Sequence, residues 1–136
     1  SDSYQKAIAD ALNHSGVKKD EVDLLCPHGV GSQPIDYYEA KAITDTFGLN
    51  PKKPLITTFK PYVGHNLGAS ALLETAIMLL SLKSNTIPLT LNCEHPDPKF
   101  NLPLVRENSK KELKLAMKTC CAFAGFNSAA LFRKID

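Results

Sequence analysis

The longest apolar stretch of the chain, Pro54 to Leu82 (PLITTFKPYVGHNLGASALLETAIMLLSL), organises the rest. Leu55 to Thr58 predicts a short buried strand, Pro61 and Gly64 a turn, and the residues from about His65 onward a long helix. Leu67, Ala71, Ile77, Leu80 and their neighbours are almost all small or apolar, so this helix is expected to be central and covered on most sides. Upstream, Ala7, Ile8, Ala11 and Leu12 recur at helical spacing between Ser3 and His14, and Gly16 supplies the stop. Val22 to Cys26 suits a buried strand, with the loop PHGVGSQP at its carboxyl end. A second helix runs from about Ile35 to Phe47 and is stopped by Gly48 and Pro51. From Asn85 to Leu104, Pro88, Pro96, Pro98 and Pro103 leave only short extended pieces such as Ile87 to Leu91, which predicts a long surface connection. Leu113 to Phe123 and Ser128 to Ile135 then flank Ala124-Gly125-Phe126-Asn127 as a hairpin. The alternation of elements predicts an α/β layer fold with parallel neighbouring strands and sites at their carboxyl ends.

Composition narrows this picture. At 136 residues the chain is one domain's worth, and its net charge of +2 is spread without a basic block, which argues against nucleic acid or a membrane surface as partner. Cys26, Cys93, Cys120 and Cys121 form no secreted disulfide spacing, so the thiols are read as reduced and the chain as cytoplasmic.

Lys60, His65 and Glu74 interrupt the apolar segment, and polar groups placed there cost free energy unless paired. His28 and His65 each follow a predicted strand in a glycine-containing loop, and in a parallel layer fold such loops meet at one sheet edge. Two imidazole N–H groups aimed at one thioester carbonyl oxygen would stabilise the enolate left when carbon dioxide departs. Lys60 paired with Glu74 would hold their orientation and protonation. A second reading joins Cys26, His28, Cys93 and His95 in a zinc-binding module, although Cys-x-His spacing is tight for one ion. Asp36, Tyr37, Tyr38 and Glu39 read as the first turn of a helix, where acids favour the dipole, and no catalysis is assigned to them.

These residues carry a resemblance. His28-Gly29, with Asp36 and Glu39 following, is similar to the His-Gly-Thr segment of β-ketoacyl synthases, the decarboxylating condensing enzymes of the thiolase superfamily. Lys60-Pro-Tyr-Val-Gly-His65-Asn-Leu-Gly-Ala resembles their Lys-x4-His-x2-Gly-Ala motif, with Glu74 where the family keeps a glutamate. Pro88-Leu-Thr-Leu-Asn92, Pro96-Asp97 and Phe123-Ala-Gly-Phe-Asn127 resemble further family stretches in the same order. The resemblance implies the C-terminal half of the thiolase-like fold, a mixed five-stranded sheet covered by helices. It also implies a 3-oxoacyl synthase that extends acyl chains on acyl carrier protein without a cofactor. His28 and His65 would bind the malonyl thioester, and Lys60 and Glu74 would support them. Phe123 would gate the acyl pocket and lend its N–H to an oxyanion hole, with Val30, Ser32 and Phe126 beside the substrate.

The family's nucleophilic cysteine has no counterpart among the four present, so the chain reads as a fragment that needs its N-terminal half, inactive alone, within a homodimer or heterodimer. Surfaces that pack on that half should be exposed. Three departures leave a noncatalytic partner subunit of the chain-length-factor kind as the alternative: Val30 for threonine, the last glycine-rich loop with Ala124 for glycine and Phe126 for threonine, and the larger or more polar Tyr62 and Asn66 beside Lys60 and His65. Retention of His28, Lys60, His65 and Glu74 together favours the synthase.

Overall fold

A computed structural model describes residues 2–48 and 52–135; Pro51, assigned as a helix stop, lies outside the described residues. The helices are α1 (Asp2–Ser15), α2 (Gln33–Phe47), a single-turn α3 (Lys60–Val63) and α4 (Ser70–Ser84). The strands are β1 (Leu24–Cys26), β2 (Leu55–Ile56), β3 (Thr86–Ile87), β4 (Ser109–Lys110), β5 (Leu115–Cys121) and β6 (Asn127–Arg133). β1 lies parallel to β2 on one side and to β5 on the other, and β6 closes the sheet antiparallel to β5, giving the order β2-β1-β5-β6.

Successive strand residues feed opposite faces, as strand geometry requires. Leu25 and Met117 pack with Ile8, Leu12, Ile43 and Phe47 under α1 and α2. Leu24, Cys26 and Ala116 pack with Phe59, Met78 and Leu82 under α4. With both faces covered, β1 is buried along its whole length and reads as a continuous apolar run.

The sheet is mixed, as expected, but among the described residues it carries four strands rather than five. Leu104, where the long connection passes the β2 edge, contributes a single parallel bridge to Ile56, because Pro103 precedes it and cannot donate to a ladder. The connection itself is pinned at its ends by the antiparallel pair β3 and β4. The hairpin expected at the C-terminus is present, and its turn holds Ala124 at φ +60°, a left-handed conformation that a Cβ disfavours.

The central helix differs from the expectation. It opens at Ser70 rather than near His65, after α3 and one turn of tighter helix at Leu67–Ala69. Only the face bearing Ser70, Glu74, Met78, Ser81 and Leu82 is buried. Leu72 is 76% exposed and Leu80 64%, with Leu73 and Leu79 also exposed. The segment Leu67–Ser84 is long and apolar enough, with a mean hydropathy of 1.3, to cross a membrane by length and composition. Its inner face is instead committed to the sheet through Met78, Leu82 and the buried Glu74.

Candidate active site

β1 ends at Cys26 and delivers Pro27 and His28, both buried, to the carboxyl edge of the sheet. Gly29 follows at φ +51°, and a Cβ there would stand 2.6 Å from Thr58 Cγ2, so glycine is required on both counts. Two carboxylates of α2 then hold the loop. Glu39 accepts the backbone N–H groups of His28 (2.6 Å) and Gly29 (2.8 Å), and Asp36 those of Val30 (3.2 Å) and Gly31 (3.1 Å). Four successive donors are therefore fixed by two acids one helical turn apart. Glu39 is 4% exposed and also receives the Tyr4 hydroxyl, which in turn contacts Thr119. Burial raises the Glu39 pKa, and the hydrogen bonds from Tyr4, Gly29 and His28 oppose that rise. Asp36 lies in the first turn of α2 as expected, Glu39 one turn further on, and beyond any dipole effect both shape the His28 loop. The signal was available in the sequence as Asp-x-x-Glu just after a glycine-rich strand end.

Lys60, from the start of α3, donates to the His28 carbonyl and to Glu74 Oε1 (2.6 Å). Its pairing with Glu74 is as expected. The sequence reading missed a second cation. Lys118, in the middle of β5 and 4% exposed, lies 2.5 Å from Glu74 Oε2 and donates to the carbonyls of Pro27 and Thr119, both at 2.9 Å. Glu74, 1% exposed, thus serves two ammonium groups; its Oε2 meets Lys118 as an ion pair without the alignment of a hydrogen bond. A lysine inside a strand whose first five residues are all buried was the available clue.

His65 lies beyond α3, exposed, and its ring meets the His28 ring edge to face with centroids 5.4 Å apart and planes at 81°. The Leu67 N–H donates to His65 Nδ1 at 3.1 Å, so Nδ1 is an acceptor and, in the neutral ring, Nε2 carries the proton. Ser70 Oγ lies 3.0 Å from the same nitrogen. Burial, then the charges of Lys60, Lys118 and His65, lower the His28 pKa to about 4 against the pull of Glu74. His28 is therefore a neutral imidazole near pH 7. Cys120 Sγ lies 3.8 Å from its Nδ1.

Gly29, Val30, Lys60 and His65 line one end of a groove of about 640 Å³ that continues to Tyr37 and Phe100. The structure brings His28, Lys60, His65 and Glu74 together and keeps Val30 and Ser32 half-buried in the same loop region. Phe123 and Phe126 are not drawn into that groove; they stand on the β5–β6 turn, 92% and 73% exposed. The zinc reading fails. Cys26 is buried in the core with its thiol pKa raised by burial to about 12, Cys93 and His95 line the groove, and no group of three or more His, Cys, Asp or Glu residues is placed to hold a metal among the described residues.

Sheet order, helical cover and a paired-imidazole edge define a thiolase-like α/β domain. The model of the β-ketoacyl synthase C-terminal domain matches residues 1–94, and the chain belongs to that family. It is 32% identical over 136 residues to 3-oxoacyl-[acyl-carrier-protein] synthase 2 of Coxiella burnetii, covering 98% of this chain and 33% of that protein. Among solved structures it resembles the ishigamide ketosynthase/chain length factor, with a TM-score of 0.94, 29% identity, and coverage of 99% of this chain and 33% of that one. It also resembles one chain of a solved complex of a type II PKS acyl-carrier protein with its ketosynthase bound to the hexaketide, with a TM-score of 0.91, 25% identity, and coverage of 98% of this chain and 33% of that one. The chain spans about a third of the length of these relatives.

Proposed function

We propose that this chain is the C-terminal half of an elongating 3-oxoacyl-[acyl-carrier-protein] synthase, acting in the cytoplasm with an N-terminal half that carries the nucleophilic cysteine. The observation that carries the reading is the His28–His65 pair, edge to face at 5.4 Å, with His28 held neutral and His65 Nδ1 occupied as an acceptor. In the proposed step the bond between the malonyl Cα and its carboxylate breaks, and carbon dioxide leaves. The electron pair passes into the thioester as an enolate, whose oxygen receives an N–H from each imidazole. The enolate carbon then attacks the acyl thioester on the cysteine of the other half, forming the new carbon–carbon bond and releasing the cysteine as thiolate. Lys60 and Glu74 fix the His28 backbone and take no proton in this sequence.

The groove beginning at Val30 and His65 is of a size to admit an extended thioester arm, in line with acyl carrier protein as the partner that delivers it. Exposed Leu72, Leu73, Leu79 and Leu80 on α4 form an apolar strip of the kind that a monomeric domain rarely leaves open. The N-terminal half is its proposed cover, and a dimer of such two-half subunits the proposed assembly. Phe123 and its N–H are assigned to acyl transfer across that same junction.

Carbon dioxide release from malonyl carrier protein by the full-length protein tests the reading. His28→Ala and His65→Ala are each expected to lower the rate by about 10²- to 10⁴-fold. Undiminished release by both variants would instead assign the chain to a noncatalytic partner subunit.

A further inference from the structure

Lys118 is a buried cation that no step above uses. It donates to the carbonyls of Pro27 and Thr119, pairs with Glu74 Oε2 and meets the Cys26 thiol. Pro27 is the residue through which β1 hands the chain to His28, and Lys60 holds the carbonyl of His28 itself. The strand-end turn is thus gripped by two ammonium groups at successive carbonyls, both anchored on the one Glu74 carboxylate. Glu39, a second buried carboxylate near this turn, is turned to the backbone N–H groups of His28 and Gly29. An apolar side chain at position 118 would take the ammonium donor from the Pro27 carbonyl and the ion-pair partner from Glu74 Oε2 in a buried site.

We propose that Lys118 is a positioning residue of the paired-imidazole site: its ammonium pins the Pro27–His28 turn and, as a fixed buried positive charge, disfavours a second positive charge on the His28 ring. The proposal rests on the reading of His28 and His65 as the thioester-binding pair. Burial works against the charge on Lys118, yet its neighbours, the anionic Glu74 among them, hold its pKa above the ordinary value, so it stays charged through the neutral range. The groups facing His28 are Lys60, Lys118, His65, Glu74 and the Cys120 thiol. After burial, the charges that hold its pKa down are Lys60, then Lys118, then His65.

The test compares Lys118→Met and Lys118→Gln with the wild type in the full-length protein, following the His28 ring by NMR titration and the pH dependence of carbon dioxide release from malonyl carrier protein. In both variants the His28 pKa is expected to rise by at least about one unit, with the acid limb of the rate profile moving up in step. An unmoved His28 pKa and acid limb in a folded variant, whatever its melting temperature, overturns the proposal. Should neither variant fold, lysine-selective labelling of the wild type decides: Lys118 still protonated at about pH 8 supports the fixed charge, and a neutral amine there removes it. A His28→Ala protein with undiminished release would sink the imidazole-pair reading instead, while the titration of His28 in the Lys118 variants would still answer the question of coupling.

Discussion

At the residue scale the site is decided by what each side chain may not do. Gly29 may not carry a Cβ, because Thr58 Cγ2 occupies its place and the backbone is left-handed. Gly29→Ala is expected to destabilise the full-length protein by about 2–4 kcal/mol in urea titrations, the sum of a steric and a conformational cost. Removing the obstructing methyl with Thr58→Ser should return part of that loss, and losses that simply add would contradict the contact. His28 may not easily take a proton. Its pKa is depressed from 6.5 to about 4 in the folded chain, so the unfolded chain binds more protons between those values. The stability that His28 contributes is therefore fully present above about pH 6.5 and is lost as pH falls toward 4. His28→Gln should show a flatter urea midpoint across that window than the wild type.

At the scale of elements, α2 is the tool that shapes the loop. Asp36 and Glu39 on its first turns capture four loop N–H groups, and Glu39 ties the loop to Tyr4 on α1. Glu39→Gln keeps the shape but puts an amide where two backbone donors need acceptors. It should cost about 1–3 kcal/mol by thermal unfolding and lower carbon dioxide release, whereas an effect on neither would mean the loop is held elsewhere.

What the sequence conveyed follows from periodicity and chemistry together. The helices at Asp2–Ser15 and Gln33–Phe47 and the C-terminal hairpin were legible because apolar spacing and glycine stops agree locally. So was the meeting of His28, Lys60, His65 and Glu74, through their motifs and through the rule that parallel strands gather their carboxyl ends. Lys118 and the loop-holding role of Glu39 left only partial signals, a lysine in an apolar strand and Asp-x-x-Glu after the glycine loop, because their partners lie 44 to 91 positions away or are backbone donors that the composition does not mark. The cover of α4 was misjudged for a related reason: an apolar helix announces that it will be buried, not by which chain.

At the scale of the whole molecule, one face of α4 is committed to the sheet and the other is an apolar strip that we assign to the N-terminal half. Leu72 is 76% exposed here, so Leu72→Lys removes little packing within these residues. In the full-length protein it should nonetheless cost about 2–5 kcal/mol or drive the protein into aggregates, as measured by thermal unfolding and light scattering. A soluble variant with an unchanged melting temperature would mean the strip stays open. The central claim is that His28 and His65 act on one oxygen atom. The most direct measurement is carbon dioxide release from malonyl carrier protein by the full-length wild type, the two single alanine variants and the double variant. Groups that bind one oxyanion act as a unit, so the double variant should lose little more than either single one. Losses that multiply, or a loss confined to one histidine, would contradict the account.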